Sequence, residues 1–211
     1  MNDRTRLANL ALTAALVLGA SYLLADHLPL APAARLAWKA SGVGFLAVYA
    51  ALSARDLDGW LITAVMALGA LGDLLLGAAG LAPGGAAFLA GNLIATALYL
   101  RHYKPSAGGL DVVSAAIMVP LVVFAAWRLS GHDAGVAVYA VTLAGMVATA
   151  QLSRFPRDWV GLGAVMVLAS DLLLFARAGP LAGLAWVGTP IWSLYFAGQA
   201  LVCVGVVRSK K

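Results

Sequence analysis

Eight apolar runs, each long enough to cross a bilayer and each followed by a short polar break, dominate this chain. A hydrocarbon core about 30 Å thick needs roughly 20 apolar residues per helical crossing, so the runs at 7–25, 35–54, 60–79, 85–100, 110–128, 134–152, 159–178 and 185–207 read as transmembrane helices. With 211 residues the chain has room for those helices and little else. The expected architecture is all-α and polytopic, a single integral membrane domain over 1–211. Composition agrees: 63% of residues are hydrophobic, 11% are charged and the mean hydropathy is +0.92, outside the range of soluble domains. The breaks have chemical causes. "DHLPLAP" combines charge with proline, "ARDLDG" charge with glycine, "GLAPGG" is a turn cluster, and "RHYKPSAGG" joins basic residues to Pro and Gly. The fourth run is short, and Pro190 near the start of the eighth predicts a broken or tilted first turn.

"MNDRTR" ahead of an apolar run also fits the start of a signal peptide, with "APA" at 31–33 as a weak cleavage site. The apolar stretch is longer than a signal h-region, so a retained first helix is expected. The net charge of +5 does not indicate nucleic acid, because the basic residues are scattered between apolar runs. Of the fourteen Lys and Arg residues, ten fall on the side of the N-terminus, whereas the opposite loops hold only Arg35, Arg128 and Arg177. The positive-inside rule then puts both termini in the cytoplasm, in a membrane expected to be the bacterial cytoplasmic one. The remaining cation, Lys39, falls inside the second run.

Two acids stand in equivalent places. "LGALGDLLLGAAG" at 68–80 and "VLASDLLLFARAG" at 167–179 each set a bare aspartate, Asp73 or Asp171, before three leucines. Each follows the tryptophan that opens its helix, Trp60 or Trp159, by an interval that places it about 20 Å along the span. The matching "AVM" upstream of both suggests two four-helix halves. A carboxyl inside a span costs roughly 2.5 to 3.5 kcal/mol on insertion scales and marks a functional site by default. The alternative role is a polar contact holding helices together, which the small residues Gly69, Gly72, Ala169 and Ser170 would permit.

Other polar groups fall at compatible depths: Lys39, Asn92 in the fourth run, Tyr139 in the sixth, and Tyr195 with Gln199 in the eighth. All are expected to face one cavity. Each also has a plain structural role, since a lysine can snorkel outward, a tyrosine can sit in an aromatic belt, and Asn or Gln can bridge helices. His27, His102 and His132 lie in loops with no ligand partner nearby, and Cys203 stands alone in an apolar run, so neither a metal site nor a disulfide is expected.

With these residues in view, the chain resembles the YhhN family of eight-helix membrane enzymes called lysoplasmalogenases. The resemblance rests on "GDLLL" at 72–76, "ASDLLLF" at 169–175, "WKASGVGFLAVYA" at 38–50, "VYAVTLAGM" at 138–146 and "LYFAGQALV" at 194–202, which run in order along almost the whole chain. Two positions depart from the family pattern. Where the fourth span usually carries a histidine, "FLAGNLIAT" offers Asn92 or, on another register, Thr96, and the usual proline after the lysine is Ala40.

The resemblance implies hydrolysis of the vinyl ether bond of a lysophospholipid to a fatty aldehyde and a glycerophospho-alcohol. A vinyl ether is an electron-rich alkene that hydrolyses once its β-carbon is protonated, leaving an oxocarbenium ion for water. Such chemistry needs an acid and a negative neighbour, as glycosidases show, and it requires no metal or other cofactor. Asp73 and Asp171 are the expected catalytic pair, with Asp171 favoured as donor because Ser170 lies beside it. Lys39 would partner the ionised aspartate or the substrate phosphate, and Asn92, Tyr139, Tyr195 and Gln199 would orient substrate hydroxyls or water. Membrane lipids and an ether-linked lysolipid are the implied partners. The same two acids would serve a proton-coupled transporter, and a non-catalytic lipid-binding protein would need neither.

Overall fold

The computed structural model describes residues 3–105 and 108–209. Its elements are α1 (Asp3–Ser21, extended by a 3-10 segment Tyr22–His27), α2 (Pro32–Ser53), α3 (Leu57–Ala78), α4 (Leu81–Arg101), α5 (Gly109–Leu129), α6 (Ala134–Gln151), α7 (Leu162–Ala178, entered through a π turn Arg157–Gly161) and α8 (Gly188–Arg208, entered through a 3-10 turn Ala185–Val187). All eight are long and apolar enough to span a membrane, and the protein is an integral membrane protein. Among the described residues there is no β-strand, only an isolated bridge between Tyr103 and Ser153.

Local chemistry sets the helix ends. Pro32 opens α2, where its missing N–H is no loss. Asp56 caps α3 by accepting the Gly59 amide at 2.8 Å, and Asp133 caps α6 by accepting the Val136 amide at 2.9 Å. The fourth helix is longer than its apolar run at 85–100 suggests, beginning at Leu81. Pro83 falls in its first turn, where proline is tolerated, and the α3–α4 turn contracts onto Gly80, whose φ of 94° is accessible to glycine. At the eighth helix, Pro190 is preceded by the 3-10 turn, so the regular helix starts only at Gly188.

The chain divides into two compact units, one comprising α1 to α3, α4 as far as Ile94 and the end of α8 from Val206, the other running from Ala95 to Gly205. In the first unit α2 packs against both α1 and α3. Alanines line the buried stripe of α1 (Ala8, Ala11, Ala15), and Val43, Leu46, Ile62 and Met66 fill the interior. A side chain at Gly72, immediately before Asp73, would put its Cβ 2.6 Å from the Phe88 ring, so α3 and α4 meet there only because the residue is glycine. In the second unit Ala126, Val136, Ala140 and Phe175 make a core joining α5, α6 and α7. There α7 and α8 cross backbone to backbone: a Cβ on Gly163 would lie 2.7 Å from the Gly198 carbonyl oxygen, and one on Gly198 the same distance from that of Gly163.

The surface is inverted relative to a water-soluble protein. Leu10, Leu110, Phe124 and Val138 stand exposed, while Asp58, Asp73, Asn92, Ser170, Asp171 and Gln199 are buried. In lipid an apolar exterior costs nothing, and polar side chains within the spans turn away from the hydrocarbon.

Candidate active site

In the first unit, Lys39 on α2 and Asp73 on α3 form an ion pair, Nζ to Oδ1 at 2.9 Å. The two stand at equal sequence distances either side of Asp56, so the antiparallel α2–α3 hairpin brings them to one level. Asp73 is 2% exposed and the lysine side chain 24%, so the carboxylate is sealed and the ammonium is the wetter partner. Lys39 therefore does not snorkel away from the protein. Asn92, on the α4 segment of this unit, is also buried, and its Nδ2 has no hydrogen-bond partner among the described residues. A buried amide donor left open in this way costs about 1–3 kcal/mol. It is the kind of group a bound substrate oxygen would satisfy.

In the second unit, the hydroxyl of Tyr139 on α6 donates to Asp171 Oδ2 on α7 at 2.6 Å. The tyrosine ring packs edge-on against Phe175, centroids 5.8 Å apart. Asp171 and Phe175 are one turn apart on α7, so a single face of that helix receives both the ring and the hydroxyl of Tyr139. Ser170 plays a different part from the one its position beside Asp171 suggests. Its hydroxyl donates to the Ile191 carbonyl at 2.8 Å and so ties α7 to α8. Tyr195 and Gln199 are buried one turn apart on α8, where Trp192 stacks on Phe196 at 5.7 Å and tilts toward Tyr195 at 5.8 Å.

Tyr99 and Asp58 are among the buried polar groups that stand outside the candidate residues singled out from the sequence. Tyr99 is fully buried against the Phe155 ring, with a hydroxyl that finds no hydrogen-bond partner among the described residues. Asp58, in the first turn of α3, is 7% exposed. A tyrosine near the end of a span looks like an interfacial anchor, and an aspartate just after a helix start looks like ordinary dipole compensation. Neither signal distinguishes a buried group from an exposed one. Among the described residues no three His, Cys, Asp or Glu side chains gather as metal ligands would.

Asp73 and Asp171 thus each have their own polar partner: an ammonium for Asp73, a phenol for Asp171. Eight helices of spanning length, with acids held inside two of them by Lys and Tyr, define a polytopic membrane protein with polar pairs buried within its spans. Residues 34–206 match the YhhN family, and the chain belongs to that family. It is 35% identical over 159 residues to lysoplasmalogenases of Mycobacterium bovis and Mycobacterium tuberculosis, with 69% of this chain and 59% of each relative aligned. The chain therefore spans about three fifths of the length of those curated relatives. No solved structure matches it.

Proposed function

We propose that this chain is a membrane-embedded hydrolase that cleaves the vinyl ether bond of lysoplasmalogen-type lysophospholipids, releasing a fatty aldehyde and a glycerophospho-alcohol. The observation that carries the proposal is the pair of buried acids with unlike partners, in a chain related to proteins named lysoplasmalogenase. The reaction needs one carboxyl that gives a proton and one that remains an anion. Asp73, 2.9 Å from an ammonium group, is assigned as the standing anion that stabilises the oxocarbenium ion. Asp171, partnered by a neutral phenol, is assigned as the acid that protonates the β-carbon of the alkene. Water adds to the α-carbon and loses a proton to a carboxylate. The hemiacetal then collapses, its C–O bond breaking so that the aldehyde leaves and the glycerol oxygen takes the proton. One water is consumed and no redox partner is needed. Asn92 is assigned to a substrate oxygen and Gln199 and Tyr195 to water or the glycerol hydroxyl.

The test is the purified chain in detergent or nanodiscs, given a 1-alkenyl lysophospholipid and, in parallel, its saturated 1-alkyl analogue, with aldehyde followed by mass spectrometry. Aldehyde should appear from the alkenyl lipid alone, because the β-carbon of a saturated ether carries no double bond to accept the proton. No aldehyde from any alkenyl headgroup, with substrate flux into proteoliposomes instead, would replace this reading with transport.

Tyr139 offers a finer check on the acid. Tyr139→Phe removes the 2.6 Å hydrogen bond but keeps the ring against Phe175, so the protein should fold normally. Turnover should fall about tenfold, the scale of one hydrogen bond to a charged or reacting group, with KM for the lipid little changed. A shift in KM alone would make Tyr139 a binding group.

A further inference from the structure

We propose that the cleft where α1 and α3 begin and α2 ends is a binding site for a phosphate group, distinct from the Asp73 site at the far end of α3. The cleft has a volume of about 340 Å³ and is lined by Arg4 and Asn9 from α1, Tyr49 and Ser53 from α2, and Arg55 and Asp56 from the α2–α3 turn. That volume lies in the range of small-ligand sites, about 300–1,000 Å³. Ile62, at its inner edge, precedes Asp73 by three helical turns, about 16 Å.

The electrostatics favour an anion. The negative end of α2 would oppose one, but Arg4 occupies it, donating from Nε to the Leu52 carbonyl at 2.8 Å and from Nη2 to that of Ala54 at 2.8 Å. Nη1 of Arg4 is left without a partner among the described residues. The guanidinium of Arg55 and the hydroxyl of Ser53 make no hydrogen bond or ion pair among the described residues. Asp56 is the one carboxylate in the lining, and its Oδ1 is engaged by the Gly59 amide at 2.8 Å as the α3 cap. Open donors thus come from two arginines and a serine, against the single carboxylate of Asp56 in the lining. The positive ends of α1 and α3 are offset by Asp3 and Asp58 in their first turns, so the attraction rests on the two arginines. A planar guanidinium with free donors suits phosphate oxygens. At the end of membrane-spanning helices, that group is supplied by an anionic lipid headgroup or by free phosphate.

The experiment uses the full chain in phosphatidylcholine nanodiscs, titrated with inorganic phosphate or exchanged into nanodiscs containing phosphatidylglycerol, with thermal unfolding and native mass spectrometry as readouts. Wild type should unfold at a higher temperature with at least one of the two additions. Stabilisation by phosphatidylglycerol alone identifies a lipid headgroup, and stabilisation by both identifies the phosphate group itself. Arg55→Gln should weaken whichever binding is seen about tenfold, Arg55→Lys should restore part of it, and Arg154→Gln, an exposed cation outside the cleft, should change nothing. Arg55 is exposed and makes no hydrogen bond or ion pair among the described residues, so its variants report on binding rather than on folding, and aldehyde release should be unaffected by them. No stabilisation by either addition overturns the site. So does an equal loss in Arg55→Gln and Arg154→Gln, which would reveal only diffuse attraction of basic loops to an anionic surface.

Discussion

Asp171→Asn should lower aldehyde release by at least about a hundredfold, the loss expected when a general acid is removed, while leaving thermal unfolding in detergent nearly unchanged. Asparagine keeps an oxygen that accepts the Tyr139 hydroxyl, so the 2.6 Å contact has a replacement acceptor and the fold loses little. It cannot deliver the proton. Asp73→Asn should cost a similar factor through loss of the anion facing the oxocarbenium ion, with a modest fall in stability because Lys39 loses its partner but remains about a quarter exposed. The double variant should fall short of the product of the two single losses, since groups that serve one transition state are not additive. Normal turnover in Asp171→Asn would remove that residue from the chemistry. Turnover that merely tracks unfolding would make both acids structural.

Lys39→Met should produce the largest loss of stability, about 3 kcal/mol, because it leaves Asp73 as a sealed carboxylate with no counter-charge. The measurement is unfolding of the single variants and of Lys39→Met/Asp73→Asn together. Converting Asp73 to a neutral amide removes the stranded charge, so the double variant should regain most of what Lys39→Met loses. Activity should be lost in both, since the anion is misplaced in one and absent in the other. If Lys39→Met unfolds within about 0.5 kcal/mol of wild type, as a neutral surface change does, the ion pair contributes nothing to the fold.

The eight helices were legible because lipid imposes one period and one length on every span, and the apolar runs satisfy both. Their ends were less so. The α4 start at Leu81 hides inside a Gly and Pro cluster that reads as a loop, and the π turn at Arg157–Gly161 leaves no compositional trace. Among the polar residues, Lys39 could snorkel or pair, and sequence alone does not say how two helices are rotated against each other. Its equal distance from Asp56 with Asp73 was the available clue, usable only if α2 and α3 pack as a hairpin. Ser170 was misleading for the same reason. Adjacent residues on a helix point about 100° apart, so the serine faces the α8 backbone while its neighbour faces Tyr139. Arg4 was invisible as a cap, because its carbonyl partners lie some fifty residues away on another helix.

The Lys39–Asp73 pair also bears on how the chain enters its membrane. Helix α2 is the least apolar of the eight, with a mean hydropathy of 1.3 in its best window against 2.0 for α3. A lone lysine within a span costs about 2.5–3.5 kcal/mol on insertion scales, so α2 arriving alone carries an uncompensated charge on the weakest segment. The partner comes with the next helix, after a turn only a few residues long. For a ribosome feeding a translocon, α2 and α3 are therefore one cargo, a hairpin whose first arm is retained in the bilayer by the arrival of its second.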